Sequence, residues 1–571
     1  MLLIILIITL GILIYLGDQI WDEKKAKSIV FSLKVLCILL GTGAMFFGFF
    51  YNGPEIFGLG ILLILVVPIA LFLKKYGKAK KAEPKKAPKQ IDHGSADWAE
   101  PKELLSTLGR QDVGLHIGFG HLWKKSGHLL SVAGSGKGKG TCLIIPSLLV
   151  EPFGSYVVTD PKGENAFITA RYQKEAGQRV HILDPWGEQN KQGATHGIPT
   201  SGFNPFAFIK NDMEELRDNC EQIATFLIPD KPDAKDPYWN DRARSMVKIL
   251  LMHIVTALPE EEHNFWTLYK MLRFSDDHWL GLLYDLSKNE AQDGLIAIAA
   301  QELIGIEKSG NTMAGIKSTA QNATTIFESP QLRKSLSQDD FNPYSLTDGN
   351  CTVYIVIPER YLETHAVWLR LVIGLSLLAC NSRPNKRVNF LLDEFAILGK
   401  MKDIQKAYAF ARGQNIVMWT FVQNLSALKL LYDEDGMNSF IGNSSVFQIF
   451  GVKDNFTTEY VSKMLGEATQ TKASESFAQS KDSTSVTTSF TSYARRLLTP
   501  DEVETEQEII TIVNGLRVKI LRIPYFENLM EFDMSEQQQI DFNENAEAEG
   551  KIKIWYHIFK KRADPPPRRL D

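Results

Sequence analysis

Three stretches without a single charge open the chain: Met1–Gly17, Val35–Pro54 and Ile56–Leu73. At 1.5 Å per helical residue each can cross, or nearly cross, a hydrocarbon core of about 30 Å. The first has neither the basic start nor the small-residue cleavage site of a signal peptide. The pattern therefore predicts an N-terminal transmembrane anchor of two or three helices over residues 1–75. Lysines set its orientation. Lys24, Lys25 and Lys27 separate the first two spans, none separates the second from the third, and eight lysines against one glutamate fill Lys74–Lys89. Positive charge stays on the cytoplasmic side, so the bulk of the chain is expected in the cytoplasm, behind a basic linker at 76–93.

From about Gly94 the pattern becomes globular. Tyr156–Asp160 and Val180–Asp184 are short apolar runs that end in acidic turns, with a helical stretch between them. Thr352–Pro358, Arg387–Asp393, Asn415–Val422 and Ser444–Phe450 repeat the strand pattern, separated by helical segments. Uninterrupted apolar strands alternating with helices imply an α/β fold with a mainly parallel sheet covered on both faces. The rhythm breaks between about Asp212 and Gly310, where every pattern is helical, which predicts an inserted all-α domain at 212–310. The nucleotide-binding domain is then expected in two parts, 94–211 and 311–534. Thr469–Tyr493 is rich in Ser and Thr with few large aliphatic residues, and is expected as a flexible loop. Asn514-Gly515 between two alternating runs predicts a tight hairpin. The polar tail, 535–571, is expected to be extended.

Composition narrows the function classes. A 571-residue chain exceeds one hydrophobic core. The formal net charge is −4, and without the +7 of Lys74–Lys89 the remainder carries −11. That excludes a basic protein that coats nucleic acid along its whole surface. The five cysteines form no CxxC pair, which excludes the common zinc and disulfide frameworks.

The chemistry concentrates in Ala133-Gly134-Ser135-Gly136-Lys137-Gly138-Lys139-Gly140-Thr141, which follows an apolar strand and precedes a helical run. Glycines allow backbone N–H groups to wrap phosphates, and the next helix presents its positive end to them. Two registers are available. Gly138-Lys139 puts Ala133 directly after the strand and makes Lys139 the phosphate lysine; Gly136-Lys137 fits less well. Neither places Ser or Thr next to the lysine, so the nearest hydroxyl for Mg²⁺ is Thr141. Far downstream, Leu391-Leu-Asp393-Glu394 closes a strand with an acidic pair. An Asp there holds Mg²⁺ and an adjacent Glu can take a proton from the attacking water. Gln423 ends the following strand, where an amide can sense the γ-phosphate or orient water. The cofactors expected are ATP and Mg²⁺.

The segments His128–Ala133, Gly138–Gly140 and Ile145-Pro146, with Thr159-Asp-Pro-Lys-Gly-Glu164, Leu391–Gly399, Gln423 and Gly94–Trp98, resemble the coupling ATPases of type IV secretion systems. The resemblance spans roughly residues 90–530. This chain departs from it at Gly134-Ser135, where most members carry Pro-Thr, and at Cys142, where most carry glycine. The resemblance implies a RecA-like P-loop NTPase core and a homo-hexamer anchored in the inner membrane. Such a ring would hand a relaxase–single-stranded DNA complex, or effector proteins, to a secretion channel. ATP would lie between subunits, and Arg412 is the residue carried over as the neighbour's arginine. Two other readings stand beside this motor: a docking receptor with a structural nucleotide site, and a chromosome-partitioning translocase.

Overall fold

The computed structural model describes residues 94–109, 113–188, 197–210, 213–229, 237–384, 386–480 and 483–527. The expected membrane spans, the basic linker and the polar tail lie outside these residues. Among the described residues no helix is long and apolar enough to cross a membrane.

Nine strands build the central sheet: β1 (His128–Ala133), β2 (Ser155–Asp160), β3 (Arg179–Leu183), β4 (Cys351–Val356), β5 (Val388–Leu392), β6 (Ile416–Val422), β7 (Ser444–Phe450), β8 (Ile509–Val513) and β9 (Leu516–Ile520). Their order is β9-β8-β7-β1-β6-β5-β2-β4-β3. The seven strands from β7 to β3 are parallel; β8 joins β7, and β9 joins β8, in antiparallel pairs. The hairpin turn is Asn514-Gly515, both at positive φ (49° and 89°), the mirror-image turn whose twist matches the strands it joins.

Every residue of β1, β2, β4, β5 and β6 is buried. The cause is the two-residue period of a strand whose faces are both covered. Leu130 and Val132 of β1 point into one apolar core, while Leu129 and Ala133 point into the other. Between β3 and β4 the described elements from Pro205 to Ser335 are helices, the longest among them Tyr238–Ala257. Met246, Leu250 and Trp279 of this region share one buried core with Leu130 and Val132. The helical stretch thus continues past Gly310, through Gly310–Thr324 and Pro330–Ser335.

One expectation is corrected. The Ser/Thr-rich segment is not a loop but two strands, Glu467–Ser480 and Ser483–Arg496, paired in their own sheet. Threonine is β-branched and favours strands. Scarcity of large aliphatic residues reports missing burial, not missing backbone pairing.

Candidate nucleotide site

Parallel strands aim their C-terminal ends in one direction, and chemistry in open α/β sheets gathers there. β1 ends at Ala133 and turns through the glycine loop, with Gly136 at φ 67° and Gly138 at φ 92°. A side chain at Gly138 would also bring its Cβ within 2.9 Å of Cys142 Sγ, so glycine is required there twice over. Gly140–Ile144 forms a wide π-helical turn that runs into the helix Ile145–Leu149, with Pro146, which has no N–H, at the junction. Cys142, standing where glycine was expected, is buried in that turn and touches Thr141 Oγ1 at 3.7 Å.

The two candidate lysines are placed differently. Lys137 is exposed, and its stem lies over Gly451. Lys139 is 7% exposed; its Nζ lies 2.7 Å from Glu394 Oε1 and 3.4 Å from Asp393 Oδ1. Glu394 accepts a second hydrogen bond, from Gln423 Nε2 at 3.0 Å. Three strand ends, those of β1, β5 and β6, thus bring Lys139, Asp393, Glu394 and Gln423 together on one cavity of about 580 Å³, within the usual range for ligand sites. Thr141, Gly136 and Gly138 line the same cavity.

Burial opposes the charge on Lys139, but Asp393 and Glu394 outweigh it and keep its pKa above the ordinary lysine value. For Asp393, burial prevails over the attraction of Lys139, aided by repulsion from Glu394, and its pKa is raised. Burial likewise lifts Asp160 to about 7, against the pull of backbone N–H groups from Ala166, Asn165 and Lys162. Asp160 lies at the tip of β2, and its carboxylate accepts from Ala166 N at 2.8 Å.

Arg412 does not join this group. It is exposed and precedes β6, whereas Gln423 follows that strand. Seven residues at about 3.3 Å each separate the two ends by roughly 20 Å. Its guanidinium donates to Asn443 O at 2.7 Å and Ser445 Oγ at 3.0 Å. Sequence reasoning assigned no role to Thr159, Asp160 or the segment Glu359–Thr364, all of which border the site or its carboxylates. Its one usable signal was the string Thr159–Glu164 at a strand end.

The donor set suits a magnesium nucleotide. Among the described residues no group of three or more His, Cys, Asp or Glu side chains forms a metal cage. Mg²⁺ needs none, since it keeps waters and takes one or two protein oxygens plus phosphate. Asp393, a half-buried carboxylate facing the lysine of the glycine loop, matches that requirement.

A mainly parallel sheet with a glycine-loop lysine facing an acidic strand end defines an α/β core of the P-loop NTPase class. Within that class the chain belongs to the family described as "Type IV secretory system Conjugative DNA transfer", whose profile matches residues 79–550. It is 27% identical over 474 residues to protein VirD4 of Rhizobium radiobacter, covering 76% of this chain and 64% of that one. It is 25% identical over 411 residues to the type IV secretion system-coupling protein VirD4 of Bartonella quintana, covering 68% and 61%. The chain thus spans less than two thirds of either relative. Its fold is similar to that of the plasmid coupling protein TrwB in complex with ADP and Mg²⁺, with TM-score 0.56 and 15% identity, covering 76% of this chain and 97% of that one.

Proposed function

We propose that this chain is an ATP-hydrolysing motor that couples substrates to a type IV secretion channel. The observation that carries the proposal is the meeting of Lys139, Asp393, Glu394 and Gln423 at one cavity. The names of its relatives and the ADP and Mg²⁺ of the TrwB complex agree with it.

Lys139 and the glycine-loop amides would bind the phosphates, and Asp393 with Thr141, both on the cavity wall, would hold Mg²⁺. Bound Mg²⁺ would neutralise charge on the phosphate oxygens. Lys139 is held by Glu394 at 2.7 Å. Phosphate oxygens compete for that lysine, which leaves Glu394 free to take a proton from the attacking water while Gln423 keeps it oriented. A purely structural nucleotide site has no use for such a carboxylate.

Arg412 cannot reach the site of its own subunit, so any catalytic role for it lies at a neighbour's, in a homo-hexameric ring. The N-terminal spans would anchor that ring in the inner membrane. A relaxase–single-stranded DNA complex or effector proteins would be its cargo, and the helical region 212–310 an all-α insertion packed on the core of the nucleotide-binding sheet.

Glu394→Gln tests the motor reading, since it keeps the shape and removes the base. ATP should bind and persist while turnover collapses, and substrate transfer in cells should stop with it. Normal transfer by the Glu394→Gln protein would show a docking receptor instead.

A further inference from the structure

We infer that Thr159 is a positioning residue for Glu394, acting through the backbone of Asp393; the inference rests on the ATPase reading above. The ladder between β2 and β5 ends at Val158 and Leu391. One residue beyond it, the Thr159 hydroxyl donates to the Asp393 carbonyl at 2.9 Å, from a side chain that is 2% exposed. The side chain thus continues the strand pairing by one bond, at the peptide that leads into Glu394.

That peptide needs an anchor. Glu394 sits at φ 50°, ψ 41°, the left-handed region that non-glycine residues occupy only when their surroundings hold them there. Two further bonds shape the turn, from Glu394 N to Asp393 Oδ1 at 2.9 Å and from Ile397 N to Glu394 O at 3.0 Å. Both move with the turn itself. Thr159 ties it to a different strand, and β2 is locked between β5 and β4. Without the hydroxyl the Asp393–Glu394 peptide can rotate, and the Glu394 carboxylate then leaves its place between Lys139 and Gln423. Thr159 bonds the Asp393 carbonyl and not its carboxylate, which keeps its own contact with Lys139 at 3.4 Å, so nucleotide affinity changes little while the chemical step slows.

Thr159→Val keeps the β-branched shape and removes the donor; Thr159→Ser keeps the donor. In the nucleotide-free full chain, amide exchange over Phe395–Gly399 should accelerate about tenfold in Thr159→Val, the scale of one lost hydrogen bond, and return to the wild-type rate in Thr159→Ser. With ATP, kcat should fall roughly ten- to a hundredfold with KM within about threefold, and Thr159→Ser should restore it. Because Thr159 works through Glu394, adding Thr159→Val to Glu394→Gln should leave the residual single-turnover rate unchanged. If Thr159→Val fails to fold, Thr159→Cys, of similar size and a weak donor, takes its place. Unchanged exchange, an unrescued Thr159→Ser or an additive double mutant would each overturn the inference. A wild-type chain without Lys139-dependent turnover sinks the ATPase reading instead, and the exchange measurement still decides whether Thr159 is the anchor.

Discussion

Replacing Lys139 tests the site most directly, because the two lysines of the loop differ so sharply in surroundings. Lys139 Nζ faces carboxylate oxygens at 2.7 and 3.4 Å, with side-chain exposures of 7% for the lysine, 21% for Glu394 and 16% for Asp393. At an effective dielectric of about 20 these separations correspond to gross attractions of roughly 6 and 5 kcal/mol. Desolvation cancels much of that, and truncating one partner of a well-buried pair costs about 3–5 kcal/mol in practice. The open side of the cavity lets water reach the carboxylates, so about 2–4 kcal/mol is expected for Lys139→Ala. Lys137 is exposed, and Lys137→Ala should stay within about 0.5 kcal/mol. The deficit of Lys139→Ala should also depend on pH. Asp393 already has a raised pKa, and losing Lys139 raises it further. The uncompensated charge is therefore largest above that pKa and is relieved as pH falls and the carboxylate protonates. Thermal melts of both variants between pH 5 and 8, together with ATP turnover, check this. Lys139→Ala should melt lowest at pH 8, recover towards pH 5 and show no hydrolysis, while Lys137→Ala turns over ATP. A stable, active Lys139→Ala beside a dead Lys137→Ala would refute both the register and the electrostatic argument.

Other outcomes follow from the same geometry. Arg412→Ala and Lys139→Ala subunits should each be inactive alone yet regain ATP turnover when co-assembled, because some sites then pair an intact lysine with a neighbour's arginine; co-assembled rings that stay dead would exclude a role across subunits. Gly138→Ala should weaken fluorescent-nucleotide binding far more than Gly136→Ala, since both force a left-handed alanine but only the first meets Cys142 Sγ, at 2.9 Å; equal losses would refute the steric account. Burial, aided by the charge of Arg412, pulls His128 down to about 4 from 6.5, and its Nδ1 accepts from Met418 N. The unfolded chain therefore binds a proton first as pH falls below about 6.5, and the folded state loses about 3 kcal/mol by pH 4 relative to neutral pH. His128→Gln should remove that part of the acid slope in urea unfolding, and an unchanged slope would show that His128 titrates normally.

What the sequence by itself determined is local. Apolar runs bounded by turns marked the strands because a strand covered on both faces must be apolar throughout, as the fully buried β1, β2, β4, β5 and β6 are. A glycine loop after one strand and an acidic pair after another are likewise local, since each depends on a few adjacent residues. Asn514-Gly515 announced its hairpin for the same reason: the turn's backbone angles select those residues. Ser/Thr-rich Glu467–Arg496 went the other way, because strand pairing satisfies backbone groups whether or not the side chains are buried. The tertiary structure decided which distant residues meet. Strand order placed β5 and β2 side by side, so Thr159 could hold the Asp393 carbonyl. It set Lys139 against Glu394, two residues 255 positions apart. It also sent Arg412 to the far end of β6, although Arg412 and Gln423 are close in sequence. A parallel sheet separates what lies before a strand from what lies after it by the strand's whole length, and gathers the tips of strands that the chain visits far apart.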